Sequence, residues 1–120
     1  MKFVLQLHMN PAAWDALSKD DQNAVIQGHD EFMKLTRESG EFVATKAVGD
    51  LSASSAVRVR DGVSTVTDGP YLPVDAEFMC GYYVVDVASK ERALELAAQI
   101  PEAKYTGIDV RPVVFEAGVE

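Results

Sequence analysis

Hydrophobic and polar residues alternate along two parts of this chain and run continuously along a third. Residues 3–9 alternate, with Phe3, Leu5 and Leu7 on one side of a predicted strand, and residues 56–60 (AVRVR) alternate in the same way. Residues 81–87 (GYYVVDV) are nearly all apolar. A strand of this kind is covered on both faces, and a chain with few helices covers only one of them itself. We therefore expect a second copy of the chain to cover the other face.

Two stretches have the spacing of amphipathic helices. Ser18 is a predicted cap for a helix that ends near Ser39, where Gly40 favours the left-handed terminal conformation. Ser89 is a predicted cap for a second helix, Lys90 to Ile100. The inward positions predicted for the first helix are Val25, His29, Phe32 and Thr36, and those for the second are Leu94, Ala97 and Ala98.

The order of the elements indicates an α+β fold. Residues 41–47 and 107–115 are further predicted strands, and Asp61-Gly62 predicts a tight hairpin between residues 56–60 and 63–67. The order is strand–helix–strand, hairpin, strand–helix–strand. It predicts a ferredoxin-like βαβ-hairpin-βαβ layer in one domain that spans residues 1–120, paired with a second copy into a dimeric α+β barrel.

Composition and charge restrict the partners. The net charge of −8 repels nucleic-acid phosphates and anionic membranes, and the chain has no clustered Lys or Arg. The sequence therefore predicts no nucleic-acid partner and no membrane partner. Residues 1–8 lack the unbroken apolar stretch of a signal peptide, and no apolar run approaches the ~20 residues of a membrane span. We expect a cytoplasmic protein.

Motifs for cofactor or metal binding are missing from the sequence. Cys80 is the single cysteine, which excludes an intramolecular disulfide and disfavours a cysteine-based zinc site. The chain has no Gly-rich phosphate loop, Gly-x-Ser-x-Gly, His-x-x-x-His or Cys-x-x-Cys. We expect no cofactor and no metal.

Four segments, in this order along the chain, resemble landmarks of the YCII-related family. They are residues 66–71 (VTDGPY), 81–87 (GYYVVDV), 93–95 (ALE) and 110–113 (VRPV). The Asp-Gly-Pro signature at 68–70 is similar to the DGPF-type (DGPFAETKE-like) branch of that family. The resemblance covers the whole chain and implies a ferredoxin-like subunit that pairs face to face into a dimeric α+β barrel.

The resemblance also suggests functions of two classes. Some members of the family resemble small-molecule lyases with a proposed His–Asp dyad, and DGPF-type members are associated with sigma factors. The YCII-type histidine, glycine and aspartate are best matched here by His29, Gly40 and Asp50. Residues 45–49 stand where YCII-type members have Ala-Gly-Pro before the aspartate.

Both histidines are candidates for acid–base chemistry, because histidine side chains titrate near neutral pH. His29 is predicted on the inward side of its helix, where it either transfers a proton or packs at a helix–sheet interface with a backbone hydrogen bond. His8 lies on the strand face opposite Phe3, Leu5 and Leu7. It is either a pocket residue or part of a dimer contact.

Three further residues are candidates for ligand contacts. Asp68 either accepts hydrogen bonds from the backbone of its own turn or acts as a base at the cavity mouth. Arg111, inside a predicted strand, either binds a carboxylate or phosphate or forms an ion pair with Asp86 or Asp109. Tyr82 either offers its hydroxyl to a ligand or packs.

The sequence thus supports two functional hypotheses. The first is a cofactor-free lyase or isomerase in which His29 or His8 transfers the proton, Asp50 or Asp68 orients the histidine, and a small anionic ligand is held by Arg111 with Tyr82. The second is a non-catalytic regulatory or protein-interaction module, such as the partner of a transcription factor, which an acidic chain suits better than direct DNA contact.

Overall fold

The computed structural model describes residues 1–118. Within these residues, six strands and three helices follow one another, with two short 3-10 turns at Leu51–Ala53 and Pro101–Lys104. The strands and helices, in chain order, are β1 (Lys2–Met9), α1 (Pro11–Ala16), α2 (Lys19–Ser39), β2 (Phe42–Ala47), β3 (Ser55–Arg60), β4 (Val63–Asp68), β5 (Phe78–Asp86), α3 (Lys90–Ala98) and β6 (Ile108–Pro112).

Four of the strands form an antiparallel sheet in the order β2-β5-β1-β6. The two central strands are therefore the first strand and the nearly all-apolar strand, and the ferredoxin-like α+β fold predicted from the sequence is confirmed. A β-bulge interrupts the register of β1 and β5 between Leu7 and His8, so that Leu7 pairs with Gly81 and His8 with Met79. The bulge leaves Cys80 without a register partner and changes the direction of the strand ends next to it.

The hydrophobic core lies between one face of this sheet and the helices. Phe3, Leu5 and Leu7 of β1 are buried there, as the alternation predicts, together with Tyr83 and Val85 of β5. Helix α2 contributes three buried side chains at the predicted positions, namely Val25, Phe32 and Thr36.

Helix α3 is rotated relative to the expectation. Ala97 is buried as predicted, but Leu94 is 46% exposed and Ala98 is exposed, whereas Leu96 is completely buried. The prediction for Leu94 and Ala98 is therefore wrong. Small residues and one leucine form the inward stripe of this helix, with Ile100 just beyond its end, and the buried residues are Ala93, Leu96, Ala97 and Ile100.

Capping residues fix the ends of the helices, as predicted. The Ser18 hydroxyl accepts a hydrogen bond from Asp21 N, and Ser89 accepts one from Arg92 N. Gly40 ends α2 in the left-handed conformation with φ of 78°. Because the ends and the buried face of α2 are fixed, the direction in which the His29 side chain points is fixed as well.

Strands β3 and β4 form a separate two-stranded sheet, which we call the arm. Asp61 and Gly62 make its turn with positive φ angles of 50° and 76°, as the Asp-Gly signal predicts. Within the arm only Ala56 is buried. The radius of gyration is 16.4 Å, larger than the about 14 Å of a compact domain of this length, in agreement with an arm that stands apart from the core.

Strand ends differ from the predicted boundaries. Strand β5 begins at Phe78, before the predicted Gly81, and β6 ends at Pro112 rather than at residue 115. After α3 the chain does not simply leave the helix at Pro101; it forms the 3-10 turn Pro101–Lys104. Across residues 1–118, we find no helix with the length and apolar character needed to span a membrane.

Candidate functional site

His29 is hydrogen-bonded through both of its ring nitrogens. Nδ1 lies 2.7 Å from the Tyr83 hydroxyl, and Nε2 lies 2.7 Å from each carboxylate oxygen of Glu102. The side chains of His29 and Glu102 are 22% and 20% exposed, so solvent screens this pair only partly. A histidine between a phenol and a carboxylate has the partners of a proton-transfer group.

Three different elements supply these side chains. His29 comes from the inward side of α2, Tyr83 from the core face of β5, and Glu102 from the 3-10 turn after α3. Phe32, one helical turn after His29, packs against the Tyr83 ring with 4.6 Å between the ring centroids. These contacts fix the phenol and the imidazole relative to each other.

The position of Glu102 depends on a close approach between Gly28 of α2 and the ring of Pro101. Gly28 of α2 faces Pro101, and a Cβ on Gly28 would lie 2.5 Å from Pro101 Cγ. Because glycine has no side chain, the 3-10 turn comes close enough to α2 for the Glu102 carboxylate to reach His29. The missing side chain of Gly28 is therefore part of the site.

The hydrogen bonds of the site indicate where its protons lie. Burial, together with the negative charges of Glu102 and Asp30, raises the pKa of Tyr83 to about 12, so its phenol is neutral near pH 7. With His29 in the neutral tautomer that carries its proton on Nε2, the phenol donates a hydrogen bond to Nδ1 and Nε2 donates one to the Glu102 carboxylate. This assignment gives every polar atom of the network a partner.

A cavity of about 260 Å³ opens beside this network, and we call it the His29 cavity. It lies between α2 and the strands β2 and β5 and is lined by Leu7, His29, Met33, Thr45, Lys46, Ala47, Cys80, Gly81, Tyr82, Tyr83 and Glu102. A larger groove of about 580 Å³ runs between α2 and α3, but His29, Tyr83 and Glu102 do not line it. The chemistry therefore points to the smaller cavity.

The two aspartates predicted as partners of a histidine lie elsewhere. Asp50 accepts hydrogen bonds from the backbone N and the hydroxyl of Ser52, at 3.2 and 2.7 Å, and these bonds lower the pKa of its exposed carboxyl. Asp68 is exposed at the end of β4, where it pairs in register with Ser55. The structure brings neither of them into the hydrogen-bond network of His29. A role for either in a reaction stays a prediction.

The second histidine has its own carboxylate partner. His8 Nε2 lies 2.7 Å from Asp109 Oδ2, and the backbone carbonyl of His8 accepts a hydrogen bond from Thr106 Oγ1. The Asp109 side chain is 64% exposed, so solvent weakens this pair. His8 joins the ends of β1 and β6, and its role in binding a ligand stays a prediction.

Arg111 and Tyr82 lie on the sheet face opposite His29. Arg111 pairs in register with Val4, and Tyr82 precedes the inward-facing Tyr83, so both side chains are on the face away from the helices. They line a shallow cavity of about 270 Å³ with Val4, Gln6 and Pro112. The acids suggested as partners of Arg111 are paired elsewhere, Asp86 with the N-terminal amine and Asp109 with His8.

The groups described do not form a metal site or a nucleophilic cysteine. Within residues 1–118, no three side chains of His, Cys, Asp or Glu are placed to hold a metal ion together. Burial raises the pKa of the Cys80 thiol, and the negative charge of Glu102 raises it further. The thiol is therefore protonated near neutral pH and forms part of the cavity wall.

Sequence reasoning missed Glu102 and Tyr83. They lie 73 and 54 positions from His29 along the chain, so no local motif joins them to it. One signal was present for Tyr83: it shares its strand face with Val85 and Val87, which predicts a buried hydroxyl in need of a partner. Glu102 follows a helix-breaking proline, so helical periodicity does not predict the direction of its side chain.

Comparison with known proteins agrees with the resemblance carried by the landmark segments. The sequence profile of the YCII-related domain matches residues 1–116. An uncharacterized protein of Rhizobium meliloti (strain 1021) is 24% identical over 117 residues, which cover 96% of this chain and 94% of that protein. Since the profile spans nearly all of the sequence, the chain belongs to the YCII-related family.

Proposed function

We propose that this protein binds a small molecule in the His29 cavity and catalyses a proton transfer on it without a cofactor, as lyases and isomerases do. The observation that supports this function is the His29 ring, held between the Tyr83 phenol and the Glu102 carboxylate beside an open cavity. The dyad is then His–Glu, in place of the His–Asp pair expected from the resemblance.

The network can accept one proton without forming a tyrosinate. As the ligand transfers a proton to Tyr83 Oη, the phenol transfers its own proton to His29 Nδ1. The products are the ligand anion, a neutral Tyr83 and a protonated His29 whose charge is balanced by the Glu102 carboxylate. The high pKa of Tyr83 therefore does not oppose the step, because the phenol only relays the proton.

The test is hydrogen–deuterium exchange on small carbon acids in deuterated water, followed by NMR. We expect the wild-type protein to accelerate exchange of acetylacetone or cyclohexanone, and Tyr83→Phe or Glu102→Gln to lower the rate by about 10²-fold or more. Two matched controls are Tyr71→Phe, on an exposed loop, and Glu95→Gln, in an exposed ion pair on α3.

Two results would overturn the proposal. The first is exchange of both carbon acids at the rate of the protein-free solution. The second is acceleration that Tyr83→Phe and Glu102→Gln leave unchanged. In either case the His29 network is a structural link between α2, β5 and the 3-10 turn.

A second candidate, a protein-interaction module, is supported by apolar side chains that the chain leaves exposed. On the arm, Val57 and Val66 are register partners and are each 64% exposed. After β6, Val114 and Phe115 are 94% and 82% exposed. Exposed apolar groups at this density are typical of an interface, and a homodimer is its first candidate because the open sheet face lies beside the same tail.

Sedimentation of the wild-type protein and of Phe115→Ser tests this second candidate. A dimer that Phe115→Ser weakens by about tenfold or more supports the homodimer, with Leu94→Ser, at an exposed apolar position on α3, as a control. A monomer at all concentrations would exclude the homodimer, and a partner of another kind, such as a transcription factor, would then be the remaining form of this candidate.

A further inference from the structure

A second cavity, which we call the Trp14 cavity, lies next to the His29 cavity. Its volume is about 190 Å³, and it lies between β1, α1 and the chain that follows α3. It is lined by His8, Met9, Asn10, Ala13, Trp14, Leu17, Val25, Cys80, Glu102, Tyr105 and Thr106. Most of these are aromatic or aliphatic, which suits an apolar occupant.

Glu102 and Cys80 line both cavities and thus form the wall between them. Neither cavity alone reaches the roughly 300 Å³ at which pockets for small ligands begin, whereas the two together do. The carboxylate of Glu102 is therefore placed where the two compartments meet.

Three polar groups around the Trp14 cavity are already paired within the protein. The Asn10 side chain accepts a hydrogen bond from Ala13 N, Thr106 Oγ1 donates to the His8 carbonyl, and His8 Nε2 bonds to Asp109. A ligand in this compartment therefore meets mainly the rings of Trp14 and Tyr105 and aliphatic carbon. Its polar group gains most at Glu102, whose negative charge favours a hydrogen-bond donor over an anion.

Resting on the function proposed above, we propose that the ligand of this protein is a small molecule with two parts. A compact apolar body, the size of one six-membered ring, fills the Trp14 cavity. A head group with a hydroxyl or amino donor and an adjacent carbonyl passes Cys80 and reaches Glu102, so that the C–H bond acidified by the carbonyl faces the His29 network. The Trp14 cavity thus determines which ligands bind, and the proton transfer takes place in the His29 cavity.

Trp14 is the single tryptophan of the chain, so its fluorescence reports on this cavity alone. We expect cyclohexanol to change the fluorescence saturably with a Kd on the order of 1 mM, and glycerol to leave it unchanged. Ala13→Leu places extra carbon in the cavity and should weaken cyclohexanol binding by about tenfold or more. Ala12→Leu, on an exposed position of the same short helix, is the matched control and should bind as the wild type does.

The head group is tested with cyclohexylamine, which carries a positive charge on the same ring. We expect it to bind about tenfold more tightly than cyclohexanol, and Glu102→Gln to remove that difference while cyclohexanol still binds. The absence of a saturable response to cyclohexanol would overturn the proposal, as would wild-type binding by Ala13→Leu. NMR shifts of residues around Trp14 on titration of the wild-type protein give the same answer if Ala13→Leu fails to fold.

Failure of this inference and failure of the proposed function give different results. Binding without any carbon-acid exchange would reject catalysis and keep the two-part ligand. Exchange that Ala13→Leu does not alter would keep catalysis and reject the Trp14 cavity as the ligand site.

Discussion

Gly28 lies so close to Pro101 that a Cβ at position 28 would be 2.5 Å from Pro101 Cγ. The residues that follow them in the chain, His29 and Glu102, are joined by hydrogen bonds of 2.7 Å. The two facts belong together, because packing of the Pro101 ring against Gly28 brings the 3-10 turn, and with it the Glu102 carboxylate, close to His29. The absence of a side chain at Gly28 therefore allows His29 and Glu102 to stay within hydrogen-bond distance.

Gly28→Ala should open the His29–Glu102 pair. Alanine favours the helix by about 1 kcal/mol, but overpacking against Pro101 costs about 1–3 kcal/mol, so we expect a net loss of stability. Urea unfolding gives the change in the free energy of unfolding, and the NMR signals of the His29 ring report on the hydrogen bond. Adding Pro101→Ala should restore part of both. Equal effects of the single and the double variant would show that the contact does not matter.

Tyr83→Phe should remove a tyrosine that ionises only at high pH. The pKa of Tyr83 is raised from 10.0 to about 12, so its contribution to stability is present below pH 10 and is lost as the pH rises through about 12. The near-ultraviolet absorbance of tyrosinate should show a step near pH 12 in the wild type and in Tyr71→Phe, but not in Tyr83→Phe. A step near pH 12 in Tyr83→Phe would refute the assignment.

Leu96→Ala should destabilise the protein far more than Leu94→Ala does. Leu96 is completely buried and Leu94 is 46% exposed on the same helix, so the pair is a matched comparison. We expect about 2–5 kcal/mol for Leu96→Ala and well under about 1 kcal/mol for Leu94→Ala, measured by urea unfolding. The reverse order would mean that α3 presents the face predicted from its sequence.

Glu41→Gln should make the protein less sensitive to acid. Arg92 donates hydrogen bonds to both oxygens of the Glu41 carboxylate, each at 2.9 Å, and these bonds lower the pKa of Glu41 below 4.5. The stabilisation is therefore present above pH 4.5 and lost as the pH falls through the lowered pKa. Melting temperatures of the wild type and Glu41→Gln should differ at pH 7 and converge under acid. Glu95→Gln, at the exposed partner of the same arginine, should change little.

Local signals were sufficient to predict most of the fold. Ser18, Gly40 and Ser89 mark helix ends because capping involves only neighbouring residues, and Asp61-Gly62 marks a turn for the same reason. The buried face of α3 was mispredicted because this helix has only 9 residues, and apolar residues with helical spacing occur on two of its sides. Contact with the sheet selected the stripe with the small Ala93 and the buried Leu96, and that choice depends on residues far away in the chain.

The candidate site was predictable only at His29. Its position on the inward side of a helix follows from periodicity, but its partners are set by tertiary packing. The pairing of β5 with β1 places Tyr83 next to His29. The 3-10 turn that packs against Gly28 places Glu102 there. Because Glu102 follows a proline, no pattern in the sequence indicates the direction of its side chain. Asp50 and Asp68 were therefore predicted as partners of the histidine instead.

Strand β2 ends at Ala47 and β5 begins at Phe78, and the ends of the two strands are joined by a hydrogen bond from Val48 N to Cys80 O, at 3.0 Å. The intervening segment, including the arm, is thus an insertion between two strands that are already neighbours. A short turn in its place would leave a continuous four-stranded sheet with His29, Tyr83 and Glu102 all retained. Asp50 and Asp68 belong to the insertion, so a variant of this chain with a short turn in its place would lose both aspartates and keep the layer that holds the dyad.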